Sequence, residues 1–203
     1  LLGGVFVFND NFFEQAAIIV DERGRMIVKK IPGGGVTELV YDQYDRLVYS
    51  RDANQAARGV WAFIKYDGLN RPIVTGEISS SSNRATLAGT VDSGTQHHEN
   101  WANGSTAGYS LSQTAPTSAT EAHLLTITFY DDYGFQKPSG FDYAAGYYGS
   151  ANTSVKGQVT GGRTRMLPGN GSPGGWLTAV TYYEGEYRPI QTVRDLYDLG
   201  YKL

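Results

Sequence analysis

The chain has 203 residues, with seventeen basic and twenty acidic side chains and a formal net charge of −3, which excludes nucleic-acid binding driven by a basic surface excess. It contains no cysteine, so disulfides, thiolate zinc sites and a cysteine nucleophile are excluded together. No apolar run approaches the ~18 residues of a membrane-spanning helix, and Leu1-Leu2-Gly3-Gly4-Val5-Phe6-Val7-Phe8 lacks a basic n-region, so no membrane-spanning helix is expected and this stretch does not read as a signal peptide.

Gly contributes 26 residues and Tyr 15, and Gly for turns with Tyr, Thr, Val and Ile for strands is a β composition. In chain order, Met26–Lys30, Leu47–Ser50, Val60–Tyr66 and Leu124–Tyr130 are short β-branched and aromatic runs, predicted as strands. Turn clusters bound them at Pro32–Gly35, Asp67–Asn70, Asp131–Gly134 and Pro168–Gly175. Helix-forming content is confined to Ala53–Ala57, little more than one turn. Ser79–Ala122, rich in Ser, Thr, Asn and Gly, reads as an excursion between two strand-rich blocks. Its length predicts a strand or two within it, Thr106–Leu111 first among them. The chain is predicted as one all-β segment, 1–203, with repeat blocks at 17–90 and 123–203 around an excursion at 91–122.

Aligning the chain on aromatic–acidic pairs exposes a repeat. Tyr41-Asp42-Gln43-Tyr44-Asp45-Arg46 matches Tyr66-Asp67-Gly68-Leu69-Asn70-Arg71. Val20-Asp21-Glu22-Arg23-Gly24-Arg25 fits with Val for Tyr, and Tyr183-Glu184-Gly185-Glu186-Tyr187-Arg188 fits with Glu for Asp. A further copy, Tyr130-Asp131-Asp132-Tyr133-Gly134-Phe135, lacks the Arg. Each unit reads as a β-hairpin. A strand ends at the aromatic, and the acid opens a turn by accepting backbone N–H groups ahead of it. Gly24, Asp45, Asn70 or Gly134 then supplies a residue that tolerates positive φ, and Arg starts the returning strand. Tyr187 departs from this pattern.

The Tyr-Asp-x-x-Gly-Arg pattern at roughly twenty-residue spacing resembles the YD repeat of the Rhs family. Val60–Gly76, Leu124–Tyr133, Val155–Gly161 and Trp176–Tyr183 are similar to recurrent segments of long secreted bacterial Rhs proteins. The resemblance covers about 17–90 and 123–195. It implies a ribbon of β-hairpins that spirals into a hollow shell enclosing a C-terminal toxin or effector, or serving as an extracellular scaffold. The partners it implies are the remainder of the same polypeptide and its cargo, with secretion-machinery or surface proteins, at a secreted or cell-surface location. The family's self-cleaving core and toxin tip would lie C-terminal of this chain.

Residues that could carry chemistry are few. His97-His98-Glu99, with His123 further on, lacks the spacing of a helical zinc site, and adjacent strand side chains point to opposite faces. A solvated loop is expected there. Asp21, Asp42, Asp67 and Asp131 recur at one turn position, as structural caps do, whereas glycosidase chemistry needs two carboxylates flanking one sugar. Pro32–Gly35 is not followed by Gly-Lys-Ser/Thr and no Gly-x-Ser-x-Gly elbow occurs. Trp61, Phe63, Tyr66, Trp176, Tyr182 and Tyr183 offer either inter-strand packing or a sugar-stacking platform, with Trp61 and Phe63 on one face and Tyr66 on the other. Tyr41, Tyr66, Tyr130 and Tyr183 are expected to share a largely buried face, and Lys29, Lys65 and Arg71 to lie nearer solvent or in cross-strand pairs. The reading is therefore a structural segment without catalytic residues, metal or cofactor. The alternative is a free-standing β-sandwich that binds glycans.

Overall fold

The computed structural model describes residues 5–8, 16–146, 149–167 and 174–196. The β-branched and aromatic runs form β1 (Val5–Phe8), β2 (Ala16–Val20), β3 (Met26–Ile31), β4 (Gly35–Tyr41), β5 (Leu47–Arg51), β6 (Val60–Tyr66), β7 (Pro72–Ser79), β8 (Leu124–Asp131), β9 (Val155–Arg165), β10 (Trp176–Tyr183) and β11 (Pro189–Arg194). They make one eleven-stranded sheet in sequence order, every neighbouring pair antiparallel. The protein is all-β in class. Its strands lie in a single sheet, whereas a sandwich needs two.

One face of this sheet is dry. Along β6, Trp61, Phe63 and Lys65 are buried while Val60, Ala62, Ile64 and Tyr66 are half-buried, the period of two that a pleated strand imposes. The register carries this face across the sheet through Phe63 opposite Gly76, Val74 opposite Ile127, and Phe129 and Val180 opposite Gly161. A sheet with one apolar face must cover it with a second layer. Here that layer is supplied by two non-strand segments, 80–123 and the described part of 132–154, residues 132–146 and 149–154. Phe135 from the second stacks on Phe129 at 4.1 Å, and Tyr109 from the first stacks on the same Phe129 ring at 6.1 Å. Glycine makes room for them: a Cβ on Gly161 would stand 2.4 Å from Phe135 Cζ. Buried Arg163 ties both segments to the sheet by donating to the carbonyls of Thr106 and Gln136.

The covering segments correct the sequence reading. No ladder strand occupies 91–122; Thr106–Leu111 contributes only an isolated bridge between Trp101 and Tyr109. A helix precedes it instead. After the short α1 (Ala53–Ala57) comes α2 (Arg84–Asp92), whose N-cap Asn83 accepts the Thr86 amide at 2.9 Å. Leu87 is the single buried residue of α2, so the sequence shows no apolar stripe to betray it. No helix among the described residues is long and apolar enough to cross a membrane.

Candidate functional site

The repeat positions converge on a line of turns at one end of the hairpins. In four of them the acid's amide donates to the carbonyl of the Arg four residues on, at 3.0 Å from Asp21, Asp42, Asp67 and Glu184 to Arg25, Arg46, Arg71 and Arg188. The residue before each Arg donates back to the acid's carbonyl at 3.0–3.1 Å. That residue has positive φ: Gly24 at 77°, Asp45 at 63°, Asn70 at 63° and Tyr187 at 60°. This is a three-residue hairpin loop closed by a left-handed residue. Each aspartate Oδ1 accepts the amides two and four residues ahead, and Oδ2 accepts the Arg Nε at 2.7 Å. The Asp and Arg of the motif are thus both ends of one closed ring of hydrogen bonds.

The remaining guanidinium nitrogens reach the next copy of the repeat. Arg25 Nη1 donates to Asp45 Oδ1 at 2.9 Å, Arg46 Nη1 to Asn70 Oδ1 at 2.7 Å, and Arg71 takes Asp131 in a fork at 2.9 and 2.7 Å. Each guanidinium also covers the next tyrosine ring: Arg25 over Tyr41 at 5.1 Å, Arg46 over Tyr66 at 4.7 Å, Arg71 over Tyr130 at 4.2 Å. The tyrosines form a second chain of links. Tyr66, Tyr130 and Tyr183 donate their hydroxyls to the carbonyls of Leu47, Pro72 and Val159. Those three residues are the strand partners of Tyr41, Tyr66 and Tyr130, so each tyrosine pins its hairpin to the one before. Tyr183 is buried and the other three are half-buried under guanidinium groups.

Two repeat positions depart from expectation. Gly134 does not take positive φ; Asp131 does, at 75°. β8 runs through Asp131 and pairs with β9 only after residues 132–154, so this copy is no hairpin. With Phe135 where the others carry Arg, nothing closes the ring, and Phe135 goes to the core while Gly134 donates to Asp132 at 2.8 Å. Asp131 serves instead as acceptor for Arg71 and for the Gly157 amide at 2.7 Å. At the last turn Glu184 holds Arg188 alone, at 2.7 and 3.0 Å, with the Arg188 side chain 74% exposed.

Tyr187 is exposed and left-handed, a conformation costing an L-residue ~1–2 kcal/mol. Tyr187→Gly is therefore expected to raise stability by about 0.5–1 kcal/mol. Asn70→Val should lower it by about 2 kcal/mol, from strain and the lost Arg46 bond. Urea denaturation of both variants checks the pair; an unstrained Asn70→Val would contradict the turn geometry.

The His97-His98-Glu99 segment is not a solvated loop at its third residue. Glu99 is buried, and its Oε1 meets Lys65 Nζ at 2.9 Å with both side chains at zero exposure. This also corrects the expectation for Lys65, which points to the dry face because it follows Trp61 and Phe63 in the alternation of β6. Burial pushes the Lys65 ammonium below its ordinary value, opposed by Glu99. Burial would raise Glu99, but Lys65, Ser110 and Thr114 together hold it below its ordinary value. Among the described residues no three His, Cys, Asp or Glu side chains group to hold a metal. Trp61 and Phe63 are in the core, and the Arg165 guanidinium lies 3.8 Å over Trp176.

Acid should release this network. The Arg71 fork, against the opposing effect of burial, holds Asp131 down at about 2 from an ordinary 3.8. Asp21 is likewise depressed, burial being outweighed by its bonds from Arg25 and Arg23. A carboxylate depressed in the folded state stabilises it fully above the unfolded pKa and loses that stabilisation as pH falls through the folded one. Stability should hold down to about pH 5 and fall steeply between about 4 and 2. Asp131→Asn should flatten the slope in that window, and an unaltered acid limb would show that the fork does not matter there.

No family model matches the chain, and no curated protein matches it.

Proposed function

We propose that the chain is part of the wall of an Rhs-type shell, a ribbon of YD-repeat hairpins that encloses or displays a C-terminal toxin or effector, or serves as an extracellular scaffold. The observation supporting this reading is that the repeated residues bind one hairpin to the next: Arg25, Arg46 and Arg71 each bridge their own acid and the following unit. Repeats that contact only their neighbours build extended walls. The motif residues are consumed in this joining. In this reading the partners are the rest of the same polypeptide and its cargo, with secretion-machinery or surface proteins, and the location is secreted or at a bacterial cell surface.

The test uses the complete polypeptide that contains this sequence. Particle imaging should reveal a hollow shell with this sheet in its wall, and limited proteolysis should leave an enclosed segment intact until the shell is unfolded. A solid particle whose segments are all cut at once, or saturable glycan binding abolished by substituting Tyr41 and Tyr66, would replace this reading with a binding module.

A further inference from the structure

A half-open cavity of about 450 Å³ lies between the first covering segment and the sheet, within the ~300–1,000 Å³ of small-molecule sites. Tyr49 and Ile78 contribute from the sheet, Leu87 and Val91 from α2, and Pro116 and Ser118 from the loop beyond. The charged side chains on its wall are Asp42 and Arg46, which bind each other at 2.7 Å. His97, also on the wall, is engaged by Gln43 at 2.8 Å. The cavity therefore offers no unpaired charge to a ligand.

Tyr49 sets it apart. Four tyrosines among the described residues are buried: Tyr49, Tyr109, Tyr182 and Tyr183. Tyr109, Tyr182 and Tyr183 donate their hydroxyls to the carbonyls of Thr128, Phe141 and Val159, as buried phenols do. The Tyr49 side chain packs its ring edge-on to Trp61 at 6.3 Å and is 3% exposed, yet its hydroxyl has no hydrogen-bond partner among the described residues. Nor is that hydroxyl one of the sealed polar atoms of the core, and Tyr49 is one of the residues that line the cavity.

We infer that this cavity binds a small uncharged ligand, apolar along most of its length, that carries one oxygen acceptor for the Tyr49 hydroxyl. Ile78, Leu87, Val91 and Pro116 supply apolar burial on a wall that also carries neutral polar residues such as Ser79, Thr90 and Gln113, and the phenol supplies the orientation. A ligand bearing a charge would lose its hydration without gaining a counter-ion. The inference goes beyond the wall role and does not depend on it, because it rests on one cavity and one phenol.

Prodan, an uncharged naphthyl ketone with a solvent-sensitive emission, is the probe. Titrated into the intact chain, it should give a saturable, one-to-one blue shift. Tyr49→Phe should weaken it about 5- to 10-fold, the worth of one hydrogen bond. Ser118→Trp and Thr117→Trp, at exposed positions on the rim, should abolish saturation while leaving the melting profile unchanged. Absence of saturable binding, or binding that survives both rim tryptophans, overturns the site. Unchanged affinity in Tyr49→Phe overturns the role of the phenol, and equal affinity for a naphthyl carboxylate overturns the preference for an uncharged ligand.

Discussion

Lys65→Met is expected to lower the unfolding free energy by about 3–5 kcal/mol, the cost of leaving a buried charge without its partner. Glu99 would remain in place, held by Ser110 Oγ at 2.6 Å, the Thr114 amide at 2.9 Å and Thr114 Oγ1 at 2.7 Å, but with no cation to offset its loss of water. The Glu99 amide also donates to the Tyr66 carbonyl at 2.8 Å, so the pair and this bond together fasten the first covering segment at the end of β6. Hydrogen exchange should therefore speed up across 99–114 before the sheet itself opens. Lys65→Met combined with Glu99→Gln should recover part of the loss, since the neutral amide keeps an acceptor for Thr114 without a buried charge. A loss below about 1 kcal/mol in Lys65→Met would mean that water reaches the pair and that the segment is fastened elsewhere.

Arg71→Met should cost about 2–4 kcal/mol, and the same change at the exposed Arg188 far less. The two residues occupy one motif position, and both close their own turn. Arg71 in addition forks onto Asp131 and covers Tyr130, joining its hairpin to the end of β8 sixty residues further on, with a side chain 22% exposed against 74% for Arg188. Arg71→Lys should recover only a fraction, because an ammonium cannot hold Asp67 and the Asp131 fork together. Urea denaturation of the variants separates turn closure from the joining of hairpins. Equal losses at Arg71 and Arg188 would show that closure alone contributes and that the link between neighbours is incidental.

The hairpin turns were legible in the sequence because their physics is local. An acid, a residue tolerant of positive φ and an arginine fall within five positions, and the hydrogen bonds that close the ring run among those same residues. The strands of β3, β5, β6 and β8 were legible for a related reason, since β-branched and aromatic runs bounded by turn residues have few other uses. Tyr187 tested the limit of that reading. Its side chain argues against a left-handed turn, yet the ring of bonds between Glu184 and Arg188 imposes one.

Everything that depends on which residues meet across long separations was decided by the tertiary structure. Lys65 and Glu99 are 34 residues apart, and each alone looks like a surface charge; only the covering of the dry face buries both. Phe135 replaces an arginine and leaves its turn for the core, because an aromatic ring gains more against Phe129 and over Gly161 than it could at an exposed hairpin end. Helix α2 has one buried residue, so its place was set by what it covers rather than by its own pattern. The arginines of the repeat were recognisable as the start of each returning strand. That each one spans to the next hairpin, over a tyrosine, follows from the close spacing of neighbouring strands in the sheet, a distance no local pattern encodes.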